Sequence, residues 1–212
     1  MLVGHYAPAF VAKGIAPRVP LWTLVAAVQL VDIAWGLLVL LGVEQVRIVP
    51  GLPSNPLDLV YMPYTHSLLA AVGWSALAFV LGRLVLGAGG GAIVLALAVA
   101  SHWVLDLVVH RPDLPLAFGP ERLGLALWNR PVLAYVVEVG LLASAVAFWA
   151  SRCRPAGLAR RTATRLVAAL VVVQTLVVFV PLPPSIPVPV IVLSLLGLFL
   201  AVVWAAARVE AT

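Results

Sequence analysis

The feature that most limits this chain is a series of six apolar stretches, each close to membrane-spanning length. They lie at about 20–42, 66–87, 91–110, 131–150, 164–181 and 187–207. Roughly 20 apolar residues in a helix cross a hydrocarbon core of about 30 Å. A helix satisfies its own backbone hydrogen bonds, so it is the form such stretches take in lipid. Composition agrees: only 10% of the 212 residues are charged and 64% are hydrophobic, against roughly 25% charged in soluble domains. So few charges cannot cover a water-soluble surface. A soluble enzyme, a disordered chain and a disulfide scaffold are excluded. The expected fold is all-α, a polytopic integral membrane helical bundle of about six transmembrane helices.

The expected organisation is one membrane domain over 1–212. Residues 1–19 form an amphipathic or re-entrant segment, 20–150 a four-helix set, and 164–207 a C-terminal helical hairpin. The first segment is no signal peptide, because His5, Pro8, Lys13, Pro17, Arg18 and Pro20 interrupt any apolar run. Gly87, Ala88, Gly89, Gly90 and Gly91 predict a short turn between spans two and three. Pro181, Pro183, Pro184, Pro187 and Pro189 predict a non-helical turn between spans five and six. The connections 43–65 and 111–130 are longer, fall on one side, and have the length of binding segments.

The net charge of +5 does not point to nucleic acid. Arg152, Arg154, Arg160, Arg161 and Arg165 crowd one connection, which reads as a cytoplasmic loop 151–163 beside membrane lipids. Both termini are then expected in the cytoplasm, with the long connections facing outward. Cys153 is the lone cysteine and makes no internal disulfide.

Chemistry is concentrated in a few ionisable residues. Asp32, Asp106 and Glu138 lie inside apolar spans, as does His102, while His66 and His110 stand at span ends. A carboxylate at mid-membrane costs about 2.5–3.5 kcal/mol on the insertion scale, so each needs a partner. Lysine is missing from the spans, and Arg83 lies on the other side. A metal ion could neutralise all three acids. His102, Asp106 and His110 are spaced i, i+4 and i+8 and share one helical face. At 1.5 Å per residue, Asp32, His66, His102, Asp106, His110 and Glu138 come to matching depths in the outer half. Nitrogen and carboxylate ligands without cysteine suit a divalent metal such as zinc, manganese or iron, with zinc first. Six candidates exceed one tetrahedral shell, so two metals would fit.

Each residue also has a plainer reading. Asp32 could bond Gln29 across one turn. Glu138 could pair with Arg130 or Arg111. Thr65 is a good N-cap residue, and His66 could belong to that cap. His110 could sit at the interface, or support a ligand rather than be one. His5 reaches the site only if residues 1–18 dip into the bundle. The tryptophans read as interfacial anchors, except Trp128, which with Tyr61, Tyr64 and Asn129 is a candidate for orienting substrate. Spans five and six hold only Gln174, Thr175 and Ser194 as polar side chains and look structural.

The run Pro63-Tyr64-Thr65-His66-Ser67, and Ser101-His102 through Asp106 and His110, resemble the bacterial membrane-bound metal-dependent hydrolases. The resemblance covers about residues 1–150 and rests on His66, His102 and Asp106, with Asp32 as a further match. It implies a metal, a hydrolytic reaction and a bacterial inner membrane. A more distant likeness to zinc-dependent phospholipase C rests on His102 and Asp106. It departs at Glu138, which has Ala134 and not histidine four residues before it. The expected function is hydrolysis of an ester or phosphoester in a lipid or lipid-linked substrate. His5, Asp32, His66, His102, Asp106, His110 and Glu138 are then the metal ligands, and Glu138 and Asp32 the catalytic carboxylates. A transporter using the same residues as an ion or proton site is the alternative. A scaffold held by interhelical hydrogen bonds is another.

Overall fold

A computed structural model describes residues 1–87, 89–183 and 185–210; Ala88 of the glycine turn and Pro184 of the proline turn lie outside them. A 3-10 turn at Gly4–Tyr6 leads into α1 (Ala7–Ile15). Then follow α2 (Leu21–Leu40), β1 (Gln45–Ile48), β2 (Leu57–Tyr61), α3 (Leu68–Leu86) and α4 (Gly91–Val109). After β3 (Leu114–Pro115) and β4 (Arg122–Leu123) come α5 (Pro131–Cys153), α6 (Gly157–Phe179) and α7 (Val188–Glu210). The six helices α2 to α7 are each long and apolar enough to cross a membrane. The chain is a multi-span membrane protein of mainly helical fold.

Local sequence sets the ends of these helices. Ser67 caps α3, its hydroxyl accepting from Ala70 N at 2.9 Å; the cap is Ser67 and not Thr65, whose hydroxyl turns elsewhere. His110, with φ −62° and ψ 145°, closes α4 just before Arg111-Pro112. Pro131 opens α5, where its missing N–H costs nothing. Gly82 lets α3 and α4 approach closely: a Cβ there would stand 2.9 Å from Ala92 Cα.

Two expectations are corrected here. The arginine connection 151–163 is mostly helix, since α5 runs to Cys153 and α6 starts at Gly157. Arginine and alanine favour helix, and only Arg154 (φ 45°) with Pro155 and Ala156 makes the turn. The long connections also contain two small antiparallel hairpins, β1–β2 and β3–β4.

The segment 1–15 is threaded into the bundle, with α1 packed on α5 and α2 and touching α4. Val3, Tyr6, Ala9 and Phe10 are buried, and Phe10 meets Trp149 edge-on at 5.6 Å. At the arginine-rich end, Lys13 pairs with Glu210, whose Oε2 also accepts Leu21 N at 2.7 Å. From there the chain runs inward to Met1, which is buried. The start of the chain is therefore inside the bundle and not at the arginine-rich face. Trp35 and Trp149 are likewise interior, whereas Trp22 and Trp204 are exposed as interfacial anchors would be.

Candidate metal centre

Four parts of the chain converge at the end of the bundle remote from the arginines. They are the middle of α2, the loop before α3, the second half of α4 with its exit, and the dipped N-terminal segment. Asp106 is the hub. Its Oδ2 stands 3.1 Å from His102 Nε2 and 3.7 Å from His66 Nε2. Its Oδ1 stands 3.0 Å from His5 Nε2 and 3.4 Å from His110 Nε2. Asp32 Oδ1 adds a second carboxylate, 3.4 Å from His66 Nε2 and 3.5 Å from His102 Nε2. Asp32 also takes a longer contact from Gln29 Nε2 at 3.4 Å, so the plainer reading of that pair coexists with the cluster.

The far nitrogens of three imidazoles say which way each ring points its lone pair. His102 Nδ1 lies 2.8 Å from the Val28 carbonyl, which can only accept, so Nδ1 carries the proton. His110 Nδ1 lies 2.8 Å from Asp113 Oδ1, and donates by the same argument. His66 Nδ1 lies 2.8 Å from Thr65 Oγ1, whose own hydrogen goes to Glu44 Oε2 at 2.6 Å. The Thr65 oxygen is left to accept from His66. Nε2 of each neutral ring is then an unprotonated acceptor facing a carboxylate.

Acceptor against acceptor is repulsive unless a cation lies between. His102 Nε2 and Asp106 Oδ2 are buried and without hydrogen-bond partners among the described residues. A metal ion satisfies both, and the outer partners of the three rings are the kind that orient metal-bound histidine. Ligand atoms of His66, His102 and Asp106 lie within 4.8 Å of one another, as do those of His5, Asp32 and His102. These buried groups could hold a metal ion.

His5 joins because its segment dips, and its ring stacks on His102 at 3.8 Å with 7° between planes. The Met1 amine contacts Asp106 Oδ1 as well. Glu138 does not pair with Arg130 or Arg111. Its Oε2 accepts Leu2 N at 2.8 Å and Gly4 N at 3.3 Å, so it fixes the stretch that carries His5.

A cavity of about 940 Å³ opens on the cluster, lined by Asp32, His66, Asp106, His110, Trp128 and Glu138 on its polar side. Trp128 lies 4.2 Å from the His110 ring. Tyr64 and Asn129 do not line it. Tyr64 is exposed and packs on Tyr61 and Phe118. Asn129 Oδ1 accepts from Arg111 Nε at 3.1 Å, while Arg111 Nη2 donates to Pro53 O at 2.6 Å. Both serve to hold the loops at the cavity rim.

Two residues of the site carry no sequence signal strong enough to find them. Gln174 reads as a structural residue of a lipid-facing span, yet it lines the cavity. Glu44 reads as a solvated loop acid, yet it is 1% exposed. Its Oε1 accepts Tyr64 N at 2.9 Å and Thr65 N at 3.1 Å. Burial lifts the Glu44 carboxyl above its ordinary range, and these donors oppose the lift. Glu44→Gln removes the charge that orients Thr65 and, through it, His66. Metal affinity is expected to fall about 10- to 100-fold, the range for such outer partners, with helix content unchanged. Competition against a chelating dye, alongside circular dichroism, reads both; unchanged affinity would show that Glu44 only caps the loop.

No protein family, no curated protein and no solved structure matches the chain.

Proposed function

We propose that this chain is an integral membrane metal-dependent hydrolase that cleaves an ester or phosphoester in a lipid or lipid-linked substrate. One observation carries the reading. The imidazole lone pairs of His66, His102 and His110 meet the Asp32 and Asp106 carboxylates at the wall of an open cavity, so a bound ion would be reachable by substrate. A buried structural ion would need no such opening. The resemblance to membrane-bound metal-dependent hydrolases at His66, His102 and Asp106 points the same way.

His66, His102, Asp32 and Asp106 would hold the ion, with His5 and His110 on the other oxygen of Asp106; zinc is the first candidate. A divalent ion held there would supply a water of lowered pKa and a Lewis acid for the scissile bond. Glu138 lines the same cavity and would be the carboxylate that takes a proton from the attacking water. Trp128 walls the polar end and shields the His110 side. Segment 1–15 fills the bundle below the cluster, which favours a one-sided cavity over the two-sided access that a transporter needs. By the positive-inside rule the cavity faces away from the cytoplasm.

Purified protein should carry bound zinc by elemental analysis. Stripping with a chelator should abolish hydrolysis of long-chain fluorogenic esters or phosphodiesters, and zinc should restore it. Metal-loaded protein that cleaves none of these while passing ions across proteoliposomes would overturn the reading.

A further inference from the structure

The cavity continues away from the carboxylates as an apolar cleft. Its far wall is built from the last turns of α6 and the first half of α7, with Val177, Val180, Ile191, Leu195 and Phe199 lining it. Val177 and Val180 line this cleft and are themselves exposed; Val177 lies on α6, a candidate span, and Val180 just past its end. An open apolar wall on a candidate span is where a lipid chain could enter from the side.

One polar side chain interrupts this wall. Gln174 lines the cavity, is 2% exposed, and its Oε1 has no hydrogen-bond partner among the described residues. A buried amide in apolar surroundings is costly unless something pairs with it. Gln174 stands five residues from the end of α6 and Glu138 seven from the start of α5. At 1.5 Å per residue both are about 8–11 Å from the same end of the bundle. The hydroxyls of Tyr135 and Thr175, 3.0 Å apart, join the two helices at that level. The charged side chains lining the cavity are Asp32, Asp106 and Glu138, with neither lysine nor arginine among the described lining residues. An anionic group would meet neither lysine nor arginine there, and the Met1 amine is already paired with Asp106, whereas an uncharged hydroxyl or amide would meet Gln174.

We propose that the cleft admits one hydrocarbon chain of a lipid sideways from the leaflet, and that Gln174 hydrogen-bonds an uncharged hydroxyl or amide group of that lipid beside the His/Asp cluster. The proposal deepens the hydrolase reading and rests on it for the fate of the lipid, not for its binding.

The test uses the full chain in vesicles of phosphatidylethanolamine and phosphatidylglycerol. The probe is a monoacylglycerol bearing a diazirine near the end of its acyl chain; adducts are mapped by peptide mass spectrometry. Labelling is expected on Leu195 and Phe199 inside the cleft. Leu195→Trp fills the cleft and should abolish that labelling while leaving adducts on the outward-facing Val172 unchanged. Ala134→Phe, from the opposite wall, serves if the first variant fails to fold. Gln174→Leu should cut labelling by the monoacylglycerol about fivefold, as for loss of one hydrogen bond. It should not affect the same diazirine chain without hydroxyls. Adducts confined to the outer surface would overturn the proposal. So would interior labelling that the cleft-filling variants leave intact, or equal effects of Gln174→Leu on both probes. Interior labelling in a protein that hydrolyses nothing sustains this proposal and removes the hydrolase reading; hydrolysis without interior labelling does the reverse.

Discussion

Asp106→Ala is expected to strip the protein of tightly bound metal while its helices remain in place. Among the described residues, Asp106 alone contacts all of His5, His66, His102 and His110. Its two oxygens face different imidazoles, so its loss removes a ligand from each side of the cluster at once. Affinity should fall by more than about 100-fold, beyond the range seen for partners that only orient ligands. The helices should survive, because each imidazole left behind can stay neutral, and His102, His110 and His66 keep their outer hydrogen bonds. Elemental analysis reads the metal and circular dichroism the helices. Asp106→Asn, which keeps the shape and loses the charge, should behave alike. Stoichiometric metal retained by either variant would mean that Asp106 is not a ligand and that the ion is held without it.

Gly124→Ala should be the most damaging small substitution at the site, although Gly124 supplies no ligand atom. A Cβ there would lie 2.1 Å from Arg111 O and 2.5 Å from His110 O. Both obstacles are main chain, so no rotamer relieves the clash and the loop must move. That movement breaks Leu125 N to Leu107 O at 2.8 Å and Ala126 N to His110 O at 2.7 Å, and it lifts Trp128 off His110. The expected cost is about 3 kcal/mol, the upper end for overpacking, or roughly 6–12 °C in Tm for a chain of this size. Gly140→Ala is the control. It has open space around it in the middle of α5, where alanine is the better helix former. A thermal melt with both variants equal to the unsubstituted protein would show that the loop tolerates the shift.

The spans were legible because apolar length alone dictates a membrane helix, and their ends differ from expectation by three residues or fewer except at the start of α6, which comes seven residues earlier. The cluster was legible for a related reason. Ionisable side chains in oil must find company, and helical spacing fixes their depth, which brought Asp32, His66, His102 and Asp106 together on paper. What depth arithmetic cannot supply is rotation about each helix axis. Gln174 looked structural because one amide in an aliphatic span carries no sign of which way it faces. Glu44 was hidden for the opposite reason: a loop acid is usually solvated, and only the fold of residues 44–66 turns it inward to hold Thr65. The Tyr64 ring lies outside the cavity lining, and its main chain bonds Glu44, a placement that depth arithmetic does not give. His5 hinged on whether residues 1–15 enter the bundle, and their short length and single lysine suit a boundary helix equally well.

That buried opening segment has a consequence in time. His5 meets Asp106 across 101 positions of chain, and Leu2 meets Glu138 across 136. Lys13 and Leu21 wait for Glu210, in the last helix. Residues that precede α2 thus find their partners only after the later helices exist. Until then the acids of α2, α4 and α5 would lack His5. Loading of any ion would follow as a late event in biogenesis.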